Sequence, residues 1–226
     1  MFQKPPRQTT RREALAAAAG TAGLLVGAGT RTQAAEAPNG PLKGKRVLLA
    51  ISDFSESLET YYMFFRLKEE GAVPIVVAPK RKTVEMVIHF DHPDYLSYLE
   101  KPGYPIEAQM AAGEVDPSQY DGLLLPGGRA PEEMRLDAGI RKIVAYYLGQ
   151  AKPLGAMCHG VMLLYTAGDI KGRRLTGNSH IRPDISRYGG TFLNKPVVVD
   201  GSLVTSRGWG DLDAFMPAFL DVLSRA

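Results

Sequence analysis

The sequence predicts an α/β protein with a flavodoxin-like three-layer sandwich: a mostly parallel sheet covered by helices on both faces, with a C-terminal β-hairpin. Two observations lead to this class. Short, continuous apolar segments alternate with longer segments of helical length, and such alternation implies right-handed crossovers between parallel strands. Near the C-terminus, two apolar segments flank Asp200-Gly201, a pair that is typical of a hairpin turn. The hairpin would add an antiparallel pair at one edge of the sheet.

The first strand–helix–strand unit lies between residues 46 and 79. Residues 46–52 predict a strand buried on both faces, because this run is short, continuous and apolar. Residues 59–71 predict a helix that ends at Gly71, and residues 72–79 predict the next strand. The later elements are expected in this order: a strand within 121–128, a helix over 132–150, a strand over 153–157, a helix over 159–167, a hairpin over 196–206 and a helix over 211–225.

Residues 80–115 interrupt this alternation, because proline and tyrosine are scattered through them without a helical or strand period. We expect an irregular insertion with short strands inside one domain that spans residues 46–226. Four of its side chains form a loosely metal-like group: His89, Asp91, His92 and Asp94. Their spacing defines no ligand geometry, so we interpret them as surface polarity and predict no metal and no other cofactor.

The N-terminal segment predicts export. The pair Arg11-Arg12 precedes the weakly apolar run 14–29, and small residues follow, which is the layout of a twin-arginine signal peptide over residues 1–34 with cleavage after Ala34. A transmembrane anchor is the alternative, but a membrane span needs about 20 apolar residues, and the weakly apolar run 14–29 is shorter than that. Residues 35–45 would then be a linker, and the protein would be periplasmic, without stable membrane association after signal removal.

The charge balance argues against nucleic acid as a partner. The whole chain carries a formal charge of +3, and residues 1–34 carry five basic side chains and one acidic one. The remaining part therefore has a formal charge of −1, which leaves no basic footprint for a phosphate backbone. That part is long enough for one well-buried domain, and its single cysteine cannot form a disulfide within the chain.

The single cysteine, Cys158, stands at the predicted junction of strand 153–157 and helix 159–167. In parallel sheets, ligands bind beyond the carboxyl ends of the strands. The small residues Ala156 and Gly160 on either side fit a sharp strand-to-helix turn, the thiol analogue of a nucleophile elbow. A helix N-terminus would lower the thiol pKa towards about 4–7 and favour the thiolate. The alternative is a small, buried, inert cysteine.

Two further corners carry candidate functional residues. Gly127 and Gly128 follow a predicted strand, and glycine lets the backbone approach a ligand closely. The amides of Gly128 and His159 are candidates for holding an oxyanion. Glu56 and Glu59 share one face at the start of the first helix. Capping is the commoner role for such glutamates, but a carboxyl beside the thiol would have a raised pKa and could carry a proton.

These motifs resemble the PfpI-like superfamily, which includes the parkinsonism-associated protein deglycase and belongs to the class I glutamine amidotransferase-like fold. The resemblance runs from about residue 46 to residue 223, and four stretches carry it: 66-RLKEEG-71, 121-DGLLLPGGRAPEEMR-135, 157-MCHG-160 and 197-VVVDGSLVTSR-207. It implies that Cys158 is the nucleophile, that Glu59 contacts it, and that His159 is the adjacent histidine. It also implies that Glu132 reaches this histidine across a subunit interface, hence a homo-oligomer of at least two chains.

The sequence departs from this resemblance in the loop 175–182. Members of the superfamily often have a tyrosine at the position of Asn178. We therefore include Asn178, together with Arg129, among the candidate pocket residues. His180 could act as a base, although a solvated loop histidine is the alternative.

The resemblance favours an enzyme that acts on small reactive carbonyls through Cys158, of the glutathione-independent glyoxalase or deglycase type. Three alternatives stay open. The first is a cysteine peptidase or amidase with Cys158, His159 and Glu132 as a triad. The second is an isonitrile hydratase. The third is a non-enzymatic holdase or redox sensor whose thiol is oxidised.

Overall fold

The structure, a computed structural model, describes residues 40–226. The predicted signal peptide and its cleavage after Ala34 lie outside these residues. The strands are β1 (Arg46–Ala50), β2 (Val73–Ala78), β3 (Thr83–Val84), β4 (Val87–Phe90), β5 (Leu99–Pro102), β6 (Ile106–Glu107), β7 (Met110–Ala111), β8 (Gly122–Leu125), β9 (Leu154–Met157), β10 (Arg174–Leu175), β11 (Thr191–Phe192), β12 (Val197–Asp200) and β13 (Leu203–Ser206). The helices are α1 (Ser57–Glu69), α2 (Ala130–Met134), α3 (Ala138–Gly149), α4 (Met162–Ala167), α5 (Arg182–Arg187) and α6 (Leu212–Ser224).

Seven strands form the central sheet in the order β12-β13-β9-β8-β1-β2-β7. Every neighbouring pair is parallel except β12 and β13, which form the predicted antiparallel hairpin around Asp200-Gly201. Strand β1 lies inside the sheet between β8 and β2, where Leu48 is opposite Ile75 of β2 and Leu123 of β8. Its continuous apolar sequence follows from this position, because a central parallel strand is buried on both faces.

Alternate side chains of the central strands enter two separate cores. Leu48 and Leu123 pack in the core beneath α3 and α4, whereas Leu49 and Leu124 pack in the core beneath α1 and α6. Each of these four leucines is fully buried. The sheet therefore has helices on both faces, and the predicted flavodoxin-like three-layer sandwich is confirmed.

The predicted helix over 132–150 is wrong in one respect, because it is two helices. Helix α2 ends at Met134 and α3 begins at Ala138. Asp137 separates them: its backbone is extended and its carboxylate oxygen Oδ1 accepts a 2.8 Å hydrogen bond from the Ile140 amide. A side chain that caps a new helix competes with continuation of the old one.

The turn after β9 also differs from the predicted helix over 159–167. Residues Cys158–Val161 form a single 3₁₀ turn, and the α-helical part, α4, starts only at Met162. Cys158 itself has a φ of +55°, in the left-handed region that few non-glycine residues adopt. The corner is therefore sharper than an ordinary strand-to-helix junction.

Two regions add small sheets outside the central one. In the insertion, β3 pairs with β6 and β4 pairs with β5, both antiparallel, while β7 joins the central sheet beside β2. Between α4 and β12, strands β10 and β11 pair in parallel around α5, a unit that the sequence pattern did not predict. Its two strands have only two residues each, which is too short to show a period.

Replacing Gly155 of β9 by alanine tests the packing of the sheet against α6. A Cβ at this position would lie 2.6 Å from Leu124 Cδ2 and 2.9 Å from Phe215 Cζ. We expect Gly155→Ala to lower the free energy of unfolding in urea by about 1–3 kcal/mol, because an overfilled core must distort. Gly149→Ala is the matched control: its Cβ would meet nothing within 4 Å, and we expect an unchanged or slightly raised stability. Equal stability of the two variants would contradict this packing.

Candidate active site

A cavity of about 420 Å³ is lined by the loops at the carboxyl ends of β1, β9 and β13, by residues of the insertion and by Asn178. The loop after β1 leads into α1 with Glu56 and Glu59, and the turn after β9 carries Cys158 and His159. All four side chains line the cavity. The rule that ligands bind beyond the carboxyl ends of parallel strands therefore locates the pocket correctly.

Cys158 is held in a closely packed elbow. A Cβ at Gly127 would lie 2.5 Å from Cys158 Cβ and 2.9 Å from its Sγ, so only glycine fits there. A Cβ at Gly160 would lie 2.2 Å from the carbonyl oxygen of Leu125, so the turn after the cysteine passes directly over β8. Gly127 and Gly160 therefore leave the room that the Cys158 side chain and its sharp turn need.

Glu59 lies next to this thiol. The position where a Gly127 Cβ would sit is 2.9 Å from Cys158 Sγ and 3.1 Å from Glu59 Oε2, so the two atoms are within about 6 Å of each other. The carboxyl group is fully buried, and Oε2 accepts a 2.6 Å hydrogen bond from the Gly127 amide. Among residues 40–226, the other oxygen, Oε1, has no partner within hydrogen-bonding geometry, although the backbone amide of Trp209 favours the charged carboxylate.

Burial determines the protonation state of Glu59. Desolvation of the carboxylate, reinforced by the charge of Glu56, raises the pKa of Glu59 from 4.5 to about 8, against the opposing effect of the Gly127 amide. Most of this carboxyl is therefore protonated at pH 7. The expected raised pKa at this position agrees with the structure.

The expected lowering of the Cys158 pKa is wrong. Burial raises the pKa of the thiol above its ordinary value, and the charge of Glu59 raises it further. The amides of His159 and Gly128 do favour the thiolate, as the elbow predicts, but burial outweighs them. A single 3₁₀ turn supplies less positive potential than a full helix. The thiol and carboxyl therefore form a pair of neutral acids that titrate together.

His159 lies beside the sulfur as a neutral imidazole. Its side chain is largely buried, and Nδ1 is 3.5 Å from Cys158 Sγ. Burial, followed by the charges of His180 and His89, lowers its pKa to about 4. At neutral pH the ring therefore provides no positive charge to hold a thiolate, and its lowered pKa makes it a weak base towards the thiol.

Glu56 is a capping residue that also reaches into the insertion. Its Oε1 accepts a 3.1 Å hydrogen bond from the Leu58 amide, which is the helix-capping role considered from the sequence. Its Oε2 accepts 2.8 Å bonds from both the backbone amide and the ring Nδ1 of His89. Within the described part of the chain, no hydrogen bond or ion pair joins Glu56 to the sulfur, but its side chain lines the cavity.

The expectation that His89 is surface polarity is wrong. Its side chain is only 8% exposed, and its ring nitrogens contact Glu56 at 2.8 Å and Glu100 at 3.0 Å. Burial opposes the charged ring, yet the hydrogen bonds to Glu56 and Glu100 outweigh it and raise the pKa of His89. The sequence pattern hid this because Glu56 lies 33 residues away.

The residues of the Gly-Gly corner have different roles. Gly128 has a φ of +84°, and its amide faces the thiol as expected for an oxyanion donor. Arg129 is bound by both carboxylate oxygens of Glu100, at 2.7 and 2.8 Å, and does not line the cavity. Glu132 is exposed on α2, and within the described part of one chain no contact joins it to His159. Its predicted contact across a subunit interface stays a prediction.

Asn178 separates this cavity from a second one of about 570 Å³. Its amide Nδ2 lies 3.9 Å from Cys158 Sγ, and its Oδ1 accepts a 2.9 Å bond from the His180 amide. The exposed His180 lines only the second cavity, beside Arg182. Asn178 therefore lies in the cavity near the sulfur, whereas His180 lies outside that cavity, and their predicted pocket roles stay predictions.

Sequence reasoning missed two groups of pocket residues. Arg207 and Trp209 line the cavity and directly follow β13. Applying the strand-end rule to β13 as well would have found them. Tyr98 lines both cavities from within the insertion, where no sequence signal indicated it.

Comparisons with known proteins agree with this fold and site. A sequence model of the DJ-1/PfpI family matches residues 45–222. A deglycase from Pyrococcus abyssi is 37% identical over 178 residues, which cover 79% of this chain and 99% of that protein. Deglycase PfpI from Pyrococcus furiosus is 35% identical over 179 residues, with the same coverage.

Solved structures show the same fold. The structure of DJ-1 from Schizosaccharomyces pombe has a TM-score of 0.64 and 21% identity, with 80% of this chain and 91% of that chain covered. A two-domain protein from Anabaena variabilis, which contains DJ-1/ThiJ/PfpI-like and ferritin-like domains, has a TM-score of 0.69 and 28% identity. This match covers 79% of this chain and 48% of that one.

The comparisons contradict the predicted twin-arginine signal and periplasmic location. Three of the most similar relatives are archaeal deglycases, and 99% of the length of each matches this chain, so they provide no exported counterpart. We therefore withdraw that prediction. Among residues 40–226, no helix has the length and hydrophobicity needed to cross a membrane.

Two broader statements follow from the relatives. Members of this group are often oligomeric, in line with the expected homo-oligomer, although no specific partner is established. The deglycase names of the relatives indicate enzymatic activity in the group. With its matched region, its three-layer sandwich and its cysteine elbow, this chain belongs to the DJ-1/PfpI family.

Proposed function

We propose that the protein is a cysteine-dependent enzyme for small reactive carbonyls, which converts an α-oxoaldehyde such as methylglyoxal to a hydroxy acid without glutathione. One observation carries the proposal: the buried carboxyl of Glu59 lies beside the Cys158 sulfur, with one oxygen unpartnered among the described residues. A nucleophile and a proton carrier at one place are what this chemistry requires. The deglycase names of the relatives support an activity on carbonyl-derived groups.

The first step is addition of the thiol to the aldehyde. In the reactive form the thiol–carboxyl pair has lost one proton, and Glu59 accepts the remaining proton from Cys158. Sγ then bonds to the aldehyde carbon, and the carbonyl electron pair moves to the oxygen. The amides of Gly128 and His159 stabilise this oxyanion. The oxygen takes the proton back from Glu59, which leaves a hemithioacetal and a carboxylate.

The second step moves a hydrogen between neighbouring carbons. Glu59 removes the proton from the carbon that is bound to sulfur, and the electron pair forms an enediolate whose charge lies on the oxygen of the adjacent carbon. The proton of the first hydroxyl moves to that oxygen, Glu59 returns its own proton to the adjacent carbon, and the electron pair of the first oxygen forms the carbonyl of a hydroxy-acid thioester. A carboxyl with a pKa of about 8 is suited to both directions, because it gains and loses a proton near neutral pH.

The third step releases the product. Water attacks the thioester carbon, the carbon–sulfur bond breaks, and the thiolate is reprotonated through Glu59. Methylglyoxal and one water thus become lactate, with no net oxidation and no cofactor.

Removal of either member of the pair is expected to abolish lactate formation. Cys158→Ala loses the nucleophile entirely, and Glu59→Gln keeps the size of the side chain but cannot carry a proton. We expect no turnover for the first and a loss on the order of 10²- to 10⁴-fold for the second, measured as lactate formed from methylglyoxal. Glu69→Gln, at an exposed position of the same helix, is the matched control and should retain full activity. Persistent turnover in Cys158→Ala would place the chemistry elsewhere.

The rate is expected to rise with pH. Because the thiol–carboxyl pair loses its first proton near the pKa of Glu59, kcat/KM should increase through an apparent pKa of about 8 and then level off. The measurement is initial rate from pH 6 to 9.5 at low methylglyoxal, corrected for the reaction without enzyme. A rate that is constant or falls over this range would rule out the pair as the proton carrier.

Glu59→Gln should also stabilise the fold at alkaline pH. The folded pKa of about 8 exceeds the unfolded value of 4.5, so the folded chain retains a proton that the unfolded chain has lost. Stability from this group is fully present below pH 4.5 and is lost as the pH rises to about 8. Because glutamine does not titrate, the Glu59→Gln variant does not lose this part of the free energy of unfolding, which is on the order of a few kcal/mol. Urea unfolding at pH 5 and pH 8.5 should show its advantage over wild type only at the higher pH, and a constant difference would contradict the raised pKa.

A further inference from the structure

The β4–β5 hairpin of the insertion is fastened to two of the catalytic corners. Arg129, just after Gly128, binds both carboxylate oxygens of Glu100 on β5. Glu100 in turn contacts the ring of His89 on β4 at 3.0 Å, and that ring contacts Glu56 at the start of α1 at 2.8 Å. The hairpin is therefore a fixed wall of the site and not a loosely attached loop.

Tyr98 is the residue that this wall holds over the pocket. It directly precedes β5, and its ring lies edge-to-face with two histidines, 4.4 Å from His89 and 6.0 Å from His159 between ring centroids. The side chain lines both the cavity at Cys158 and the adjoining one. Tyr98 therefore lies between the two cavities, next to His159.

Most other hydrogen-bond donors around the smaller cavity are already engaged. Both ring nitrogens of His89 contact carboxylates. Arg207 donates to Asp211 at 2.8 and 2.9 Å and to Asn194 at 3.3 Å. The amide of Asn178 points at the sulfur. The hydroxyl of Tyr98 and the indole N–H of Trp209 have no hydrogen-bond partner among residues 40–226, and of the two only Tyr98 is held against His89 and His159.

Building on the proposed function, we propose that Tyr98 contacts the substrate and determines specificity, its hydroxyl donating a hydrogen bond to the oxygen on the carbon next to the one that Cys158 attacks. The amides of Gly128 and His159 serve the oxygen on the attacked carbon. A second donor then selects compounds with oxygens on adjacent carbons, such as α-oxoaldehydes and α-hydroxyketones, over simple carbonyls. A site built to hydrogen-bond an oxygen discriminates against the analogue that lacks it.

The electrostatics of the pocket keep this donor in its protonated form. Burial raises the pKa of Tyr98, and the charges of Cys158, Glu132 and Glu100 raise it further, with Arg129 opposing. The phenol is consequently neutral throughout the pH range in which the thiol–carboxyl pair titrates. Its role is donation of a hydrogen bond, and proton transfer stays with Glu59.

The test compares Tyr98→Phe with wild type in two measurements. The first is kcat/KM for methylglyoxal. The second does not need turnover: the rate at which iodoacetamide alkylates Cys158 is measured with increasing hydroxyacetone or acetone, and the protection yields a dissociation constant for each. Tyr104→Phe, in the same insertion and 73% exposed, is the matched control. Tyr98→Phe preserves the ring and its contacts, so the variant removes only the hydroxyl.

We expect Tyr98→Phe to lower kcat/KM and to weaken protection by hydroxyacetone by about 3- to 10-fold, the effect of one hydrogen bond. Protection by acetone, and alkylation without ligand, should not change. Unchanged protection by hydroxyacetone in the variant, or no protection of wild type at all, would overturn the proposal. The proposal would also be overturned if Tyr98→Phe changed the alkylation rate of Cys158 without ligand by the same factor. Tyr98 would then affect the reactivity of the thiol and not the binding of the ligand. If hydroxyacetone protects Cys158 of the wild-type protein as expected but the protein does not convert methylglyoxal, the proposed function fails while the role of Tyr98 in binding stands.

Discussion

The proposed chemistry and the geometry of the pocket both depend on one constraint, the enclosure of the Glu59 carboxyl group away from water. Its Oε2 accepts a hydrogen bond from the Gly127 amide, and its pKa rises to about 8 because the charged form is desolvated. The surrounding features serve this enclosure. The first turn of α1 carries the side chain inward, and the bare backbone of Gly127 leaves room for the carboxyl and the sulfur together. A solvated glutamate at the same distance would be ionised at neutral pH and would lack the capacity to exchange a proton there.

Much of the fold could be predicted because its information is local. The runs in β1 and β8 are apolar without interruption, and only a strand buried on both faces explains them. The same holds for the corner at Cys158, because a chain with parallel strands presents its ligand site at their carboxyl ends. The break between α2 and α3 was missed for a local reason too: a helical period continues through Asp137, and only the side chain that caps Ile140 ends it.

The errors within the site have a different origin, since they depend on groups distant in sequence. The direction of the Cys158 pKa shift is determined by burial and by Glu59, and not by the turn in which the cysteine lies. His89 looked like a surface residue because its partners, Glu56 and Glu100, come from separate elements. Buried ion pairs of this kind leave no periodic trace in a sequence. The insertion over residues 80–115, whose structure the sequence pattern does not define, therefore forms one wall of the pocket.

The left-handed backbone of Cys158 has a consequence for selection on this chain. A non-glycine residue at a φ of +55° is strained by about 1–2 kcal/mol, and glycine at this position would relieve that strain. Pressure for folding alone would therefore favour replacing the thiol, whereas pressure for activity retains it. An ancestor or variant that had lost its activity would be expected to drift towards glycine at this elbow, so the residue found there reports whether a homologous chain still uses the site.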